Sequence, residues 1–185
     1  MTPFLVATFS TIGAAAASAQ LKAGPSARAT TTVTLSTPSA QGQPAPTPFH
    51  IVIDYGVPAA RGRMVAGALE ADMGKVWRLG ANDATTLTTD VDLDIGGTTI
   101  PKGKYVLLAE TTKGAWKLVI SAKVGGSAMA SDSTKEVARI PMKATVLAAP
   151  VESLTMWLIP TPESAKGELR MAWGTLQHSV SWSMK

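Results

Sequence analysis

The sequence predicts an all-β chain: a single-domain β-sandwich, or flattened barrel, of about nine short, mainly antiparallel strands. Three observations carry that expectation. Apolar residues alternate with polar ones in short runs from Phe49 to the end of the chain. Turn-forming Gly, Pro, Asn and Asp separate those runs at intervals of roughly 8–12 residues. Helical promise is confined to at most one short helix near residues 63–71, and Gly67 weakens even that.

Composition bounds the rest. A chain of 185 residues fits one domain with a sizeable core. Hydrophobic residues are 45% and charged residues 16%, which excludes a disordered chain. The net charge of +4 is scattered without a Lys/Arg run, and the aromatics do not alternate with basic residues. No nucleic-acid partner is therefore expected. The absence of cysteine excludes disulfides, thiolate nucleophiles and Cys-based zinc sites.

At the N-terminus, Phe4 to Ala17 is uncharged and mostly apolar, and Ala17-Ser18-Ala19 before Gln20 is a small-x-small cleavage pattern. Residues 1–19 read as a secretory signal peptide, so the expected localisation is exported, periplasmic or extracellular. No Lys or Arg precedes the run and Pro3 is unusual there; a start codon placed too far downstream accounts for both. The run is shorter than the about 20 residues a membrane span needs, and no span is expected.

Residues 20–48 comprise a flexible lead-in, a β-branched first strand at 30–36 and a Pro/Ala-rich loop from Thr37 to Pro48. Residues 49–185 hold the remainder of the sandwich, to which the first strand belongs. Phe49, Ile51, Ile53 and Tyr55 share one face of a second strand. From Thr85 the pattern stays β. Gly96-Gly97 and the Thr112–Gly114 stretch mark hairpin turns, and Trp116, Leu118 and Ile120 face one way. Arg139 to Val146 alternates, with Pro141 indicating an edge or bulge. Val151 to Ile159 is nearly all apolar and reads as a central strand covered on both faces. Leu169, Met171 and Trp173, then Leu176, His178, Val180 and Trp182, give two further alternating runs.

Chemistry concentrates between Arg61 and Asp83. Arg61, Arg63 and Arg78 with Asn82 and Asp83 form a candidate pocket for an anion or a polyhydroxylated ligand, with Trp77 stacking on a sugar face. The competing reading has the arginines tie loops to the sheet, with Asn82-Asp83 making an Asx turn. Asp90, Asp92 and Asp94 share a strand face, but an EF-hand loop fails because Ile95 stands at its glycine position and Pro101 at its final Glu position. A solvated outer face is the expectation. His178 is expected to be buried, neutral and hydrogen-bonded, and His50 exposed. No metal site and no cofactor are expected: zinc, nucleotide and Gly-x-Ser-x-Gly motifs are all missing. Glu70, Glu110, Glu152 and Glu168 are too dispersed to name an acid/base pair.

Several blocks stand in one order with close spacing: Ile53–Pro58, Arg61-Gly62-Arg63, Lys75–Asp90, Ile95–Tyr105, Pro150–Thr155 and Gly167–Gly174. Over roughly residues 26–182 the chain resembles the bacterial exported family known as domain of unknown function 2911. That resemblance implies an exported bacterial protein with a compact β-rich domain, and no activity. Asp83 stands where the family usually has Glu, the loop at 37–48 looks inserted, and Lys123–Ser133 lacks an expected Trp-Gly stretch. The function expected is a module that binds a small ligand or an envelope partner through the Arg61–Asp83 face. A hydrolase or isomerase with its site in the same place, and a structural envelope protein without a small ligand, stay open.

Overall fold

A computed structural model of the chain describes residues 26–65, 75–112, 115–122 and 133–185. The expected signal peptide, most of the expected helix and the stretch at 123–132 lie outside those residues. Among the described residues the chain forms two antiparallel sheets, the all-β sandwich that its alternation predicts. The first contains β1 (Ala27–Leu35), β2 (Phe49–Val57), β3 (Val76–Arg78) and β4 (Thr85–Thr89). After β5 (Leu93–Ile95) and β6 (Thr98–Ile100), it continues with β7 (Gly103–Thr112), β8 (Ala115–Ser121) and β9 (Glu136–Pro141). Its order is β1-β2-β4-β7-β8-β9, with β3 also beside β7. The second sheet has the order β10-β11-β5-β6, in which β10 spans Lys143–Pro160 and β11 spans Lys166–Met184.

The main core is built from the strand faces that alternation marks. Ile51 and Ile53 on β2, Leu87 on β4, Leu107 on β7, and Leu118 and Ile120 on β8 are almost fully buried. From the second sheet they meet Leu93, Ile95, Leu158, Leu169 and Met171. Each such side chain contributes about 1.5–3 kcal/mol by leaving water. Pro141 sits on the edge strand β9, where a missing N–H costs no ladder bond. One residue later, Met142 donates to Trp116 O at 2.8 Å and the chain crosses to the second sheet.

Two features depart from the expectation. β10 and β11 are not short: they span 18 and 19 residues. The ladder between them shifts register between Val146 and Val151 and again between Val151 and Thr155. Gly174, at φ 63°, sits opposite these shifts. Pro150 and the small residues here bend a continuous hairpin instead of ending it. The bend is strong enough that Met184 N donates to Ala165 O at 2.7 Å. Further, the Val151–Ile159 segment is not in a central strand. It belongs to β10 at a sheet edge, and the first sheet covers that edge. Met156 N donates to the Tyr55 hydroxyl at 3.0 Å, Leu158 N to Thr31 Oγ1 at 3.1 Å and Leu154 N to Pro58 O at 3.0 Å.

The loop from Leu79 to Ala84 folds directly over β2. Leu79 is fully buried, Thr85 Oγ1 donates to its carbonyl, and Ala81 N donates to Gly56 O at 3.3 Å. A Cβ on Gly56 would lie 1.9 Å from Ala81 O. Because the obstruction is main chain, Gly56→Ala is expected to lower the unfolding free energy by about 3 kcal/mol or more. Urea denaturation checks this. A loss below about 1 kcal/mol would show that the loop simply lifts away.

Candidate functional site

Beyond the end of β2 the chain reaches across to β10. Ala59 bridges Ser153, and Ala60 N donates to Glu152 O at 2.8 Å. The next two residues, Arg61 at φ 52° and Gly62 at φ 74°, are both left-handed. Glycine adopts this conformation freely, whereas an arginine pays about 1–2 kcal/mol. The turn is held from both sides. Glu152 Oε1 accepts the Arg61 N–H at 2.7 Å, while the Arg63 guanidinium donates to Ala60 O at 3.0 Å and Ala59 O at 3.2 Å. Arg61 and Arg63 are exposed.

Beside this turn stands an array of four rings. Trp173 Nε1 donates to Glu152 O at 3.2 Å, which ties the array to the turn. Trp173 stacks on Trp77 with centroids 5.7 Å apart and planes 16° apart. Trp77 meets Trp116 edge-on at 5.9 Å, and Trp116 stacks on His178 at 4.2 Å. Strand alternation directs Trp77 between the sheets, where it packs on the main core, while its neighbour Val76 packs on Val106, Leu108 and Val119 on the opposite face of the sheet. The array runs from half-buried Trp173 inward to His178, which is 2% exposed.

His178 is buried as its place in the alternation predicts. Its ring stacks on Trp116. Burial pushes the imidazole down to about 4, so the ring is neutral at physiological pH.

The remaining predicted residues form a second group. Arg78 donates to Asn82 O at 3.4 Å, Asn82 is left-handed at φ 60°, and its Nδ2 donates to Ser26 O at 3.4 Å. Arg28 binds the carbonyls of Asp83 and Ala84 at 3.2 and 3.3 Å and pairs with Asp54. Of the six predicted residues, Arg61, Arg63 and Trp77 thus belong to the aromatic end. Arg78, Asn82 and Asp83 belong to the clasped loop behind it. Sequence reasoning did not assign Arg28, Glu152, Trp116, Trp173 or His178 to a binding group. Arg28 is 55 residues from its partner Asp83, and no local spacing signals such a pair.

The aspartates between β4 and β6 serve the backbone. Asp90 accepts from His50 N at 3.0 Å, Asp92 from Lys102 N at 2.7 Å and Asp94 from Gly97 N at 2.8 Å. Among the described residues no group of three or more His, Cys, Asp or Glu is placed to hold a metal ion.

The depressed pKa of His178 has a stability consequence. With its folded value below the unfolded value of about 6.5, the unfolded chain takes up the proton first as pH falls. Stability from the neutral ring is complete above about pH 6.5, declines between about 6.5 and about 4, and is gone below that, a change of about 3 kcal/mol. His178→Phe keeps a ring against Trp116 and is expected to remove this decline. Urea unfolding at pH 7, 5.5 and 4.5 compares the two proteins, and equal losses in both would refute the assignment.

No curated protein and no solved structure matches the chain. A family model described as a protein of unknown function (DUF2911) matches residues 27–182, and the chain belongs to that family.

Proposed function

We propose that this chain is a binding module for a small ligand that combines a flat ring or sugar face with a carboxylate or phosphate. The site is the aromatic end of the sandwich. One observation carries the reading: the outer end of a four-ring array, at Trp173, is joined through Glu152 to a turn that displays Arg61 and Arg63. Tryptophan offers a large apolar face to a ring, and guanidinium groups grip an anion bidentately. The left-handed Arg61 adds support, because backbone strain at a non-glycine residue persists where the surrounding structure enforces it, as functional sites often do.

Binding is favoured over catalysis by how the perturbed titratable groups are spread. Hydrogen bonding to Arg139 lowers the pKa of Glu110 and Glu136 on the first sheet. Glu168 is also lowered, and it lies on β11 near the hairpin turn with Arg170. His178 stands apart from all three in the aromatic array, stacked on Trp116. An acid/base mechanism requires such groups to converge within hydrogen-bond reach.

A thermal-shift screen of the protein against aromatic carboxylates, uronic-acid oligosaccharides and sugar phosphates tests the reading. A ligand at 100 times its Kd adds about 2.7 kcal/mol, or roughly 5–10 °C at this size. Arg61→Gly preserves a left-handed turn without strain and should fold normally, yet lose most of that shift. Trp173→Phe should weaken binding of the same ligand. A flat panel, or a shift that survives both substitutions, would overturn the proposal.

We also infer that residues 1–19 direct export. In a bacterial host expressing the full chain, mass spectrometry of the envelope fraction is expected to find a protein that begins at Gln20. Recovery of the uncleaved chain in the cytosol would refute it. Among the described residues no helix is long and apolar enough to cross a membrane.

A further inference from the structure

The nine-residue β2 ends at the aromatic site, and its first residue lies roughly 26 Å away along the strand. There, Phe49 lines a cavity of about 420 Å³ together with Leu35, Glu163, Ser164, Ala165 and Met184. This volume lies within the about 300–1,000 Å³ common for small-ligand sites. Leu35, Pro38, Phe49, Ala165 and Met184 make most of the wall apolar, and the polar residues Ser36, Thr37, Glu163 and Ser164 interrupt it. Ser164 Oγ is buried with no hydrogen-bond partner, a state that is costly until a bound molecule satisfies it. Glu163 is left-handed at φ 54° in the turn that joins β10 to β11. Strain at a non-glycine residue is retained where the side chain it positions matters. Among the described residues that line the cavity there is no Lys, Arg or His to neutralise Glu163.

Charge and chemistry together select the occupant. A carboxylate head would meet Glu163 with like charge, and a neutral head would engage the hydroxyls but leave the charge of Glu163 unpaired. An ammonium head satisfies both, and the partly exposed ring of Phe49 adds a favourable face for a cation. We propose that this cavity is a second binding site, for a small amphiphilic amine. Its hydrocarbon part lies against Leu35, Phe49 and Met184, its ammonium group pairs with Glu163, and Ser164 Oγ accepts one of its hydrogen bonds. The site is independent of the aromatic end.

Calorimetric titration of the full-length protein at pH 7 with hexylamine, hexan-1-ol and hexanoate, and with their octyl homologues, tests the proposal. The amine is expected to bind tightest, the alcohol more weakly and the carboxylate least. Two added methylenes should each tighten binding about fourfold. Glu163→Gln should bring the amine down to the level of the alcohol, a loss of roughly tenfold, and leave the alcohol unchanged. Glu163→Gly, which relieves the left-handed residue, should show the same loss with the fold intact. Ser164→Ala should weaken amine and alcohol alike, whereas Trp173→Phe should affect neither. Absence of amine binding, equal binding of hexanoate, or an amine preference that survives Glu163→Gln would each overturn the proposal.

Discussion

The exposed edge of a β-sheet leaves backbone donors and acceptors that must find partners. In this protein the edge of β10 finds them in the opposite sheet. Tyr55, Thr31, Pro58 and Ala60 each bond to its backbone, and together they cover Glu152 to Leu158. This seam fixes how the two sheets sit on one another, because a slip of β10 by one residue would orphan all four bonds and turn its buried face outward. It also sets the path of the chain beyond β2. Once Ala59 and Ala60 are committed to β10, the chain must turn sharply, and the left-handed pair Arg61-Gly62 is that turn.

The aromatic array depends on a second irregularity. In a regular strand Trp173 and His178, five residues apart, would face opposite sides. Gly174 and the register shifts opposite it interrupt the alternation, so both rings enter the same array. Val65 packs against this glycine, where an added Cβ would approach it to 3.0 Å. The proposed binding surface therefore rests on strands from both sheets. Such sites hold their geometry better than sites built on loops alone.

Most of the fold is legible in the sequence, for a local reason. Alternation between apolar and polar residues is a property of neighbours, and β2, β8 and the ends of β11 all bury the set of residues that alternation marks. Where residues such as Leu147–Pro150 look like a break, the strand continues, because a bulge and a turn use the same small and proline-rich chemistry. The site is half legible. The density of Arg, Trp and Asn between Arg61 and Asp83 marks the region, but strand direction divides it, with Trp77 inward and the loop that follows Arg78 clasped by Arg28.

The sequence alone determined the all-β class, the Gly96-Gly97 turn and the apolar faces, since each depends on residues within a few positions of one another. Tertiary structure alone decided that Glu152 holds the Arg61 turn from 91 residues away, that β10 is an edge and not a central strand, and that Trp77, Trp116, Trp173 and His178 form one array. Those contacts join strands distant along the chain. Their existence depends on which edges and faces the two sheets present to each other, and no local spacing encodes that choice.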